Sequence, residues 1–190
     1  MATQPLPFLT PEQYLEIERK AEFRSEYIAG AMFAMSGGTR WHSLIATNCL
    51  IQLGNQLRGR SCEVHGSDMR VLARKAGLYT YPDITIVCGA PELLEVRDTL
   101  LNPTVIIEVL SISTEAYDRG RKFEYYRTID SLQQYLLLAQ DRIQVDLFTR
   151  QDGGQWVLKS FSLLENSILL ESIGCSLSLA ECYEKVEFPS

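Results

Sequence analysis

The chain has 190 residues, 46% of them hydrophobic and 22% charged, with a net charge of −6. These values fit a single domain over residues 1–190 with a substantial core. They exclude a globally basic nucleic-acid footprint, and no stretch is apolar for long enough to span a bilayer.

Residues 1–10 lack the basic start and apolar core of a signal peptide. Cys49, Cys62, Cys88, Cys175 and Cys182 are scattered, odd in number and mostly set in apolar runs. Together these features predict reduced, buried thiols in a cytoplasmic protein, not a disulfide framework or a zinc site.

The first helix starts at Thr10-Pro11-Glu12-Gln13. Thr10 can cap, Pro11 suits the first helical position and Gln13 completes a capping box. Tyr14, Leu15 and Ile17 supply its apolar stripe. Phe23 to Met35 reads as a hairpin turning at Ala29-Gly30, with Glu26 just before the turn. Ser36-Gly37-Gly38 breaks that pattern. A helix follows from about Arg40 to Leu57. Ile45, Cys49, Leu53 and Leu57 lie four apart and make one buried face. His42 sits in its first turn.

After Gly59, Glu63 to Leu72 reads as one strand, on which Asp68 and Arg70 can pair with each other. Lys75-Ala76-Gly77 is a turn into a second strand, Leu78 to Val87, which contains Tyr81-Pro82-Asp83 and ends at Gly89-Ala90-Pro91. Glu92 to Asn102 is a charged loop, a candidate lid or partner contact. Val105 to Leu110 is a continuous aliphatic run with one acid, Glu108. Ser111 to Thr114 is a polar junction with Ser113 or Thr114 as cap, and the next helix runs to about Arg127. Gln134 to Ala139 and Ile143 to Thr149 are strands. Asp152-Gly153-Gly154 turns the chain into a strand from Trp156 to Phe161. Ser176 to Tyr183 reads as a closing helix. The order indicates an α/β (α+β) domain with a mixed central β-sheet flanked by helices and a C-terminal β-meander.

The chemistry concentrates between Tyr81 and Arg127. A carboxylate within an aliphatic strand loses its hydration, which is costly unless a cation or donors replace the water. Alternation puts Glu108 on the face of Ile106 and Leu110. Asp83 opens its own strand directly after a proline, a position that needs no ladder donor. If the two strands are neighbours, both carboxylates converge, and paired hard oxygens suit Mg²⁺ or Mn²⁺. Alone, Asp83 reads as a turn residue bonded to local backbone, and Glu108 as the partner of an arginine. Together, with Lys122 close behind, they read as a site. Asp118 and Lys122 are four apart and can form a surface pair, worth roughly 0.3–0.5 kcal/mol. The functional alternative has Lys122 leaning over Phe123 and Tyr126 toward Glu108. Arg58 with Arg60, Arg74 with Lys75, and Arg119 with Arg121 and Lys122 are local basic patches or solvated faces.

The succession of Tyr81-Pro82-Asp83, Ile107-Glu108-Val109-Leu110-Ser111, and Asp118 with Lys122 and Tyr126 resembles the PD-(D/E)XK nuclease superfamily. More closely it resembles a bacterial restriction-endonuclease-like family, formerly a domain of unknown function. Glu26 to Gly30, Met35 and His42 extend the resemblance, which covers about residues 9–188. It implies adjacent central strands for Asp83 and Glu108, and Mg²⁺ or Mn²⁺ held by these two acids. It further implies catalytic roles for Asp83, Glu108 and Lys122, a supporting role for Glu26, and a nucleic-acid substrate, DNA. A homodimer is implied by nucleases that cut both strands. One departure stands out. The superfamily places a lysine two residues after the glutamate, where this chain has Leu110; Lys122 on the following helix is its substitute. Glu26 also reads as a solvent-facing strand residue, and His42 as a structural hydrogen-bonder. The expected activity is metal-dependent hydrolysis of phosphodiester bonds. The alternative is a catalytically silent relative that binds nucleic acid or a protein partner.

Overall fold

Thr10 starts helix α1 (Pro11–Glu18) as its sequence dictates. Its hydroxyl accepts from Gln13 N–H, and the Gln13 side chain accepts from Thr10 N–H. The computed structural model describes residues 8–35, 37–94 and 96–188. Ser36 of the expected break and Glu95 of the charged loop lie outside the described residues. Hairpin β1 (Ser25–Ile28) and β2 (Ala31–Ala34) closes through Ala29 and Gly30 at φ of 50° and 87°. Positive φ at both turn positions gives the twist a two-residue hairpin needs. Helix α2 (Arg40–Leu57) buries Ile45, Cys49, Leu53 and Leu57, the face predicted from their spacing.

Next come β3 (Cys62–Gly66), β4 (Arg70–Ala73), β5 (Leu78–Thr80), β6 (Ile84–Cys88), β7 (Thr99–Leu100) and β8 (Val105–Leu110). Helical residues then run through α3 (Glu115–Tyr117), a π-helical turn at Asp118–Lys122, and α4 (Phe123–Tyr126). Strands β9 (Gln134–Ala139), β10 (Val145–Arg150) and β11 (Trp156–Phe161) form the expected meander. Strands β12 (Ser167–Leu170) and β13 (Cys175–Ser178) and a one-turn helix α5 (Leu179–Cys182) close the chain.

The central sheet has the order β11-β10-β9-β8-β6-β3. It is mixed, because β8 and β9 are parallel while its other pairs are antiparallel. Alternate residues of β8 enter two cores. Ile107 and Val109 join Ile45 and Leu53 of α2, whereas Ile106 and Leu110 join Tyr126 and Tyr135. A second sheet, β2-β1-β5-β4-β7, packs on the latter side through Val71, Ala73, Leu78 and Leu100.

Several expectations need correction. The stretches 63–72 and 78–87 are not single strands, because each crosses from one sheet to the other. The first breaks where Met69 N–H bonds Gly66 C=O at 3.2 Å. The second breaks at Pro82, which has no N–H for the ladder. Asp68 consequently pairs with Arg24 and not Arg70. Arg70 is buried and holds Asp98 at 2.7 Å. The 92–102 segment is not a free lid: β7 pairs with β4, and Asp98 also takes Arg19 at 2.7 Å. Neither Ser113 nor Thr114 caps the helix through its side chain; the Ser111 hydroxyl accepts from Thr114 N–H at 3.2 Å.

Residues 176–178, the start of the expected helix, belong instead to strand β13, since Cys175 and Leu177 alternate inward against β12. Cys62 and Cys88 form a disulfide, because β3 and β6 set them directly opposite each other. The expectation of five reduced thiols therefore holds only for buried Cys49, Cys175 and Cys182. Among the described residues no helix is long and apolar enough to cross a membrane.

Candidate active site

Strands β6 and β8 are antiparallel neighbours with Ile84 opposite Ile107. One step further along, Asp83 stands opposite Glu108. Because Asp83 follows Pro82 outside the strand, its side chain takes over the ladder: Asp83 Oδ2 accepts from Val109 N–H at 2.8 Å. The same oxygen lies 3.2 Å from His42 Nε2. His42 reaches it from the first turn of α2, where Thr39 Oγ1 caps His42 N–H at 3.2 Å.

Glu108 is held from the other side. Lys122 Nζ lies 2.9 Å from Glu108 Oε1, 3.1 Å from Glu26 Oε1 and 3.4 Å from Asp118 Oδ1. Tyr126 donates its hydroxyl to Glu108 Oε1 at 2.8 Å, and Thr80 donates to Glu26 Oε1. The π-helical turn Asp118–Lys122 buries both of its end residues. Such turns widen a helix locally and recur at functional sites. Two alternative readings fall here. The Lys122–Asp118 pair is not a surface pair, since the two side chains are 6% and 5% exposed. Glu26 does not face solvent, because β1 lies between β2 and β5 and turns this side chain inward. Leu110 is buried in the apolar core, and the ammonium of Lys122 contacts Glu108.

Four carboxylates thus gather around one lysine and one histidine. Burial pushes the Glu108 carboxyl up to about 8 against the pull of Lys122, with Asp83 and Asp118 adding to the rise. Burial also raises Asp118. Burial works against a charged Lys122, but Glu108, Glu26 and Asp118 outweigh it and hold the ammonium well above its usual range. His42 is likewise opposed by burial and raised on balance, chiefly by its hydrogen bond to Asp83.

In the unfolded chain a glutamate titrates near about 4.3. Between that value and about 8 the folded state keeps a proton on Glu108 that the unfolded state has lost. This contribution is full below the unfolded value and lost as pH rises through the folded one. The contribution of Glu108 to metal-free stability is expected to fall from pH 5 to 8. Urea denaturation of Glu108→Gln in chelator should give a flatter profile; parallel profiles would contradict the assignment.

These side chains line one cleft of about 940 Å³, together with Arg24, Phe33 and Tyr117. Among the described residues no group of three or more His, Cys, Asp or Glu is arranged to hold a metal. Two opposed carboxylates fit Mg²⁺, which takes one or two carboxylates and completes its shell with water and phosphate oxygens. Asp83 Oδ2 and Glu108 Oε1 take the protein donors, so Asp83 Oδ1 and Glu108 Oε2 are the oxygens free of those contacts.

Asp83, Glu108, Lys122 and Glu26 are all brought into this one cleft, with His42 beside Asp83. Thr80 was not anticipated. Nothing in its local sequence marks it, since its partner Glu26 is 54 residues away. Asp118 is legible in the sequence as part of the motif resemblance and through its four-residue spacing from Lys122.

Residues 11–180 match the family Uma2, described as "Putative restriction endonuclease". Two uncharacterized proteins of Synechocystis sp. are similar. One, slr1290, is 35% identical over 184 residues, covering 97% of this chain and 96% of its own. The other, sll1609, is 32% identical over 159 residues, covering 83% and 90%. The fold is similar to a crystal structure from Anabaena variabilis described as a putative nuclease of DUF820. The TM-score is 0.76 at 18% identity, over 96% of this chain and 100% of that one.

Proposed function

The chain belongs to the Uma2 family of nuclease-like proteins, and from that premise we propose that it is a metal-dependent endonuclease hydrolysing phosphodiester bonds of DNA. One observation carries this reading. Asp83, just before β6, stands opposite Glu108 of the adjacent strand β8, and Lys122 lies 2.9 Å from Glu108. Asp83 and Glu108 would hold Mg²⁺ or Mn²⁺. A hard divalent cation there supplies Lewis acidity toward the phosphate oxygens and makes a water more acidic.

The remaining roles belong to side chains. Lys122, kept charged by its neighbours, has no free lone pair. It therefore donates hydrogen bonds to the attacked phosphate or the attacking water and offsets charge in the transition state. Glu26, Thr80 and Asp118 position that ammonium. Tyr126 orients Glu108. Val109 N–H and His42 orient Asp83.

Calorimetric titration with Mn²⁺ tests the reading without a choice of substrate. Wild type should bind, and Asp83→Ala and Glu108→Ala should each lose that binding. Binding that survives in both variants would remove the carboxylate pair from the site. Absence of binding in wild type would favour a catalytically silent binding module.

A further inference from the structure

We propose that Phe23 and Phe33 form a base-stacking rim that selects unpaired nucleotides as the substrate of this cleft, a reading that rests on the phosphodiesterase assignment above. Phe23 is 75% exposed and Phe33 55% exposed, and both line the same cleft as Asp83 and Lys122. Scattered exposed apolar residues are ordinary. Two rings at the mouth of one polar cleft are less so, and their placement is specific. Phe33 stands directly opposite Glu26 in the β1–β2 register. Glu26 reaches Lys122 at 3.1 Å. One rung of the hairpin therefore carries a buried acid at the site and an exposed ring at its entrance.

Charge decides which nucleic acid fits. A duplex presents two phosphate rails, and proteins that grip it neutralise several phosphates with Lys and Arg. Among the described residues lining this cleft, the basic groups are Arg24, His42 and Lys122. Lys122, held among carboxylates, serves only the single reacting phosphate, and Arg24 pairs with Asp68. Six acids line the same cleft: Glu22, Glu26, Asp68, Asp83, Glu108 and Asp118. Such a surface repels phosphate, and a double track more than a single one. Stacking of a base on an aromatic face adds affinity that tolerates any sequence. A single strand also brings fewer phosphates per unit length and exposes the π-faces that a duplex hides. The rim would thus hold the bases beside the reacting phosphate while a cation on the carboxylate pair meets its charge.

Fluorescence anisotropy tests this with labelled oligothymidylate of about 20 nucleotides, longer than the site of a typical single-strand-binding fold, and a duplex of equal length. Ca²⁺ replaces Mg²⁺ to fill the oxygen site with looser geometry. Wild type should prefer the single strand. Phe23→Ala and Phe33→Ala should each weaken single-strand binding roughly 5- to 150-fold, the range of one lost base stack, and leave weak duplex binding unchanged. Phe33→Tyr should retain affinity, and thermal melts confirm that each variant is folded. Equal affinity for both substrates, or alanine variants that bind like wild type, would overturn the rim. Cleavage in Mg²⁺ separates the two ideas. Ring-dependent binding without any Asp83-dependent cleavage would sink the nuclease reading and keep the rim; Asp83-dependent cleavage that ignores both rings would do the reverse.

Discussion

Asp83→Ala is expected to reduce Mg²⁺-dependent cleavage of DNA by about 10³-fold or more. A bound divalent cation contributes several kcal/mol of transition-state charge stabilisation, and each 1.36 kcal/mol, roughly, is tenfold in rate. Asp83 matters doubly. In the proposed site it would offer one oxygen to a cation, and its other oxygen closes the β6–β8 ladder through Val109 N–H. Removing it also leaves His42 without its carboxylate partner. Glu108→Ala should fall by a similar factor, and the double variant by little more, because the two acids act as a unit. The measurement is an initial-rate assay on labelled oligonucleotide with a Mg²⁺ titration. Rates within a few-fold of wild type in either variant would place the chemistry elsewhere.

Lys122→Met should destabilise the metal-free protein by about 3–5 kcal/mol, the usual cost of removing one partner from a buried ion pair. The methionine fills similar volume, so packing changes little and the loss is electrostatic. Glu26, Glu108 and Asp118 would then face one another with no cation between them. Part of the loss should return on lowering the pH, as the carboxyl groups take up protons, and part on adding Mg²⁺. Glu26→Gln should be milder, since Thr80 and Lys122 keep partners in a neutral amide. Chemical denaturation with and without Mg²⁺ distinguishes these cases. A Lys122→Met protein as stable as wild type at pH 8 would show that the ammonium is not what balances the three acids. The same variant should also lose cleavage activity through the missing donor at the phosphate.

The contrast between Lys122 and Glu26 shows where sequence reading succeeds. Lys122 lies on a helix four residues after Asp118, and local spacing identifies the pair. Glu26 lies on a strand where burial depends on neighbours far along the chain. Its partners Thr80 and Lys122 are brought to it by β1–β5 pairing and by the π-helical turn. The same reason explains the disulfide, whose cysteines are 26 residues apart. It also explains the split strands at Gly66 and Pro82, where a continuous β pattern hides a change of sheet.

Local chemistry along the chain determined the capped first helix, the hairpin at Ala29-Gly30, the buried face of α2, the central β8 strand with Glu108 and the Pro82-Asp83 step before β6. Each depends on steric preference, hydrogen-bond capacity or periodicity within a few residues. Tertiary structure decided whether those carboxylates meet, because only strand pairing sets Asp83 opposite Glu108. It also decided the state of Lys122, because an ammonium's charge depends on the dielectric and on every acid within reach. Three of those acids arrive from three separate elements, β1, β8 and the π-helical turn, and it is their convergence that turns an ordinary i,i+4 pair into the centre of the cleft.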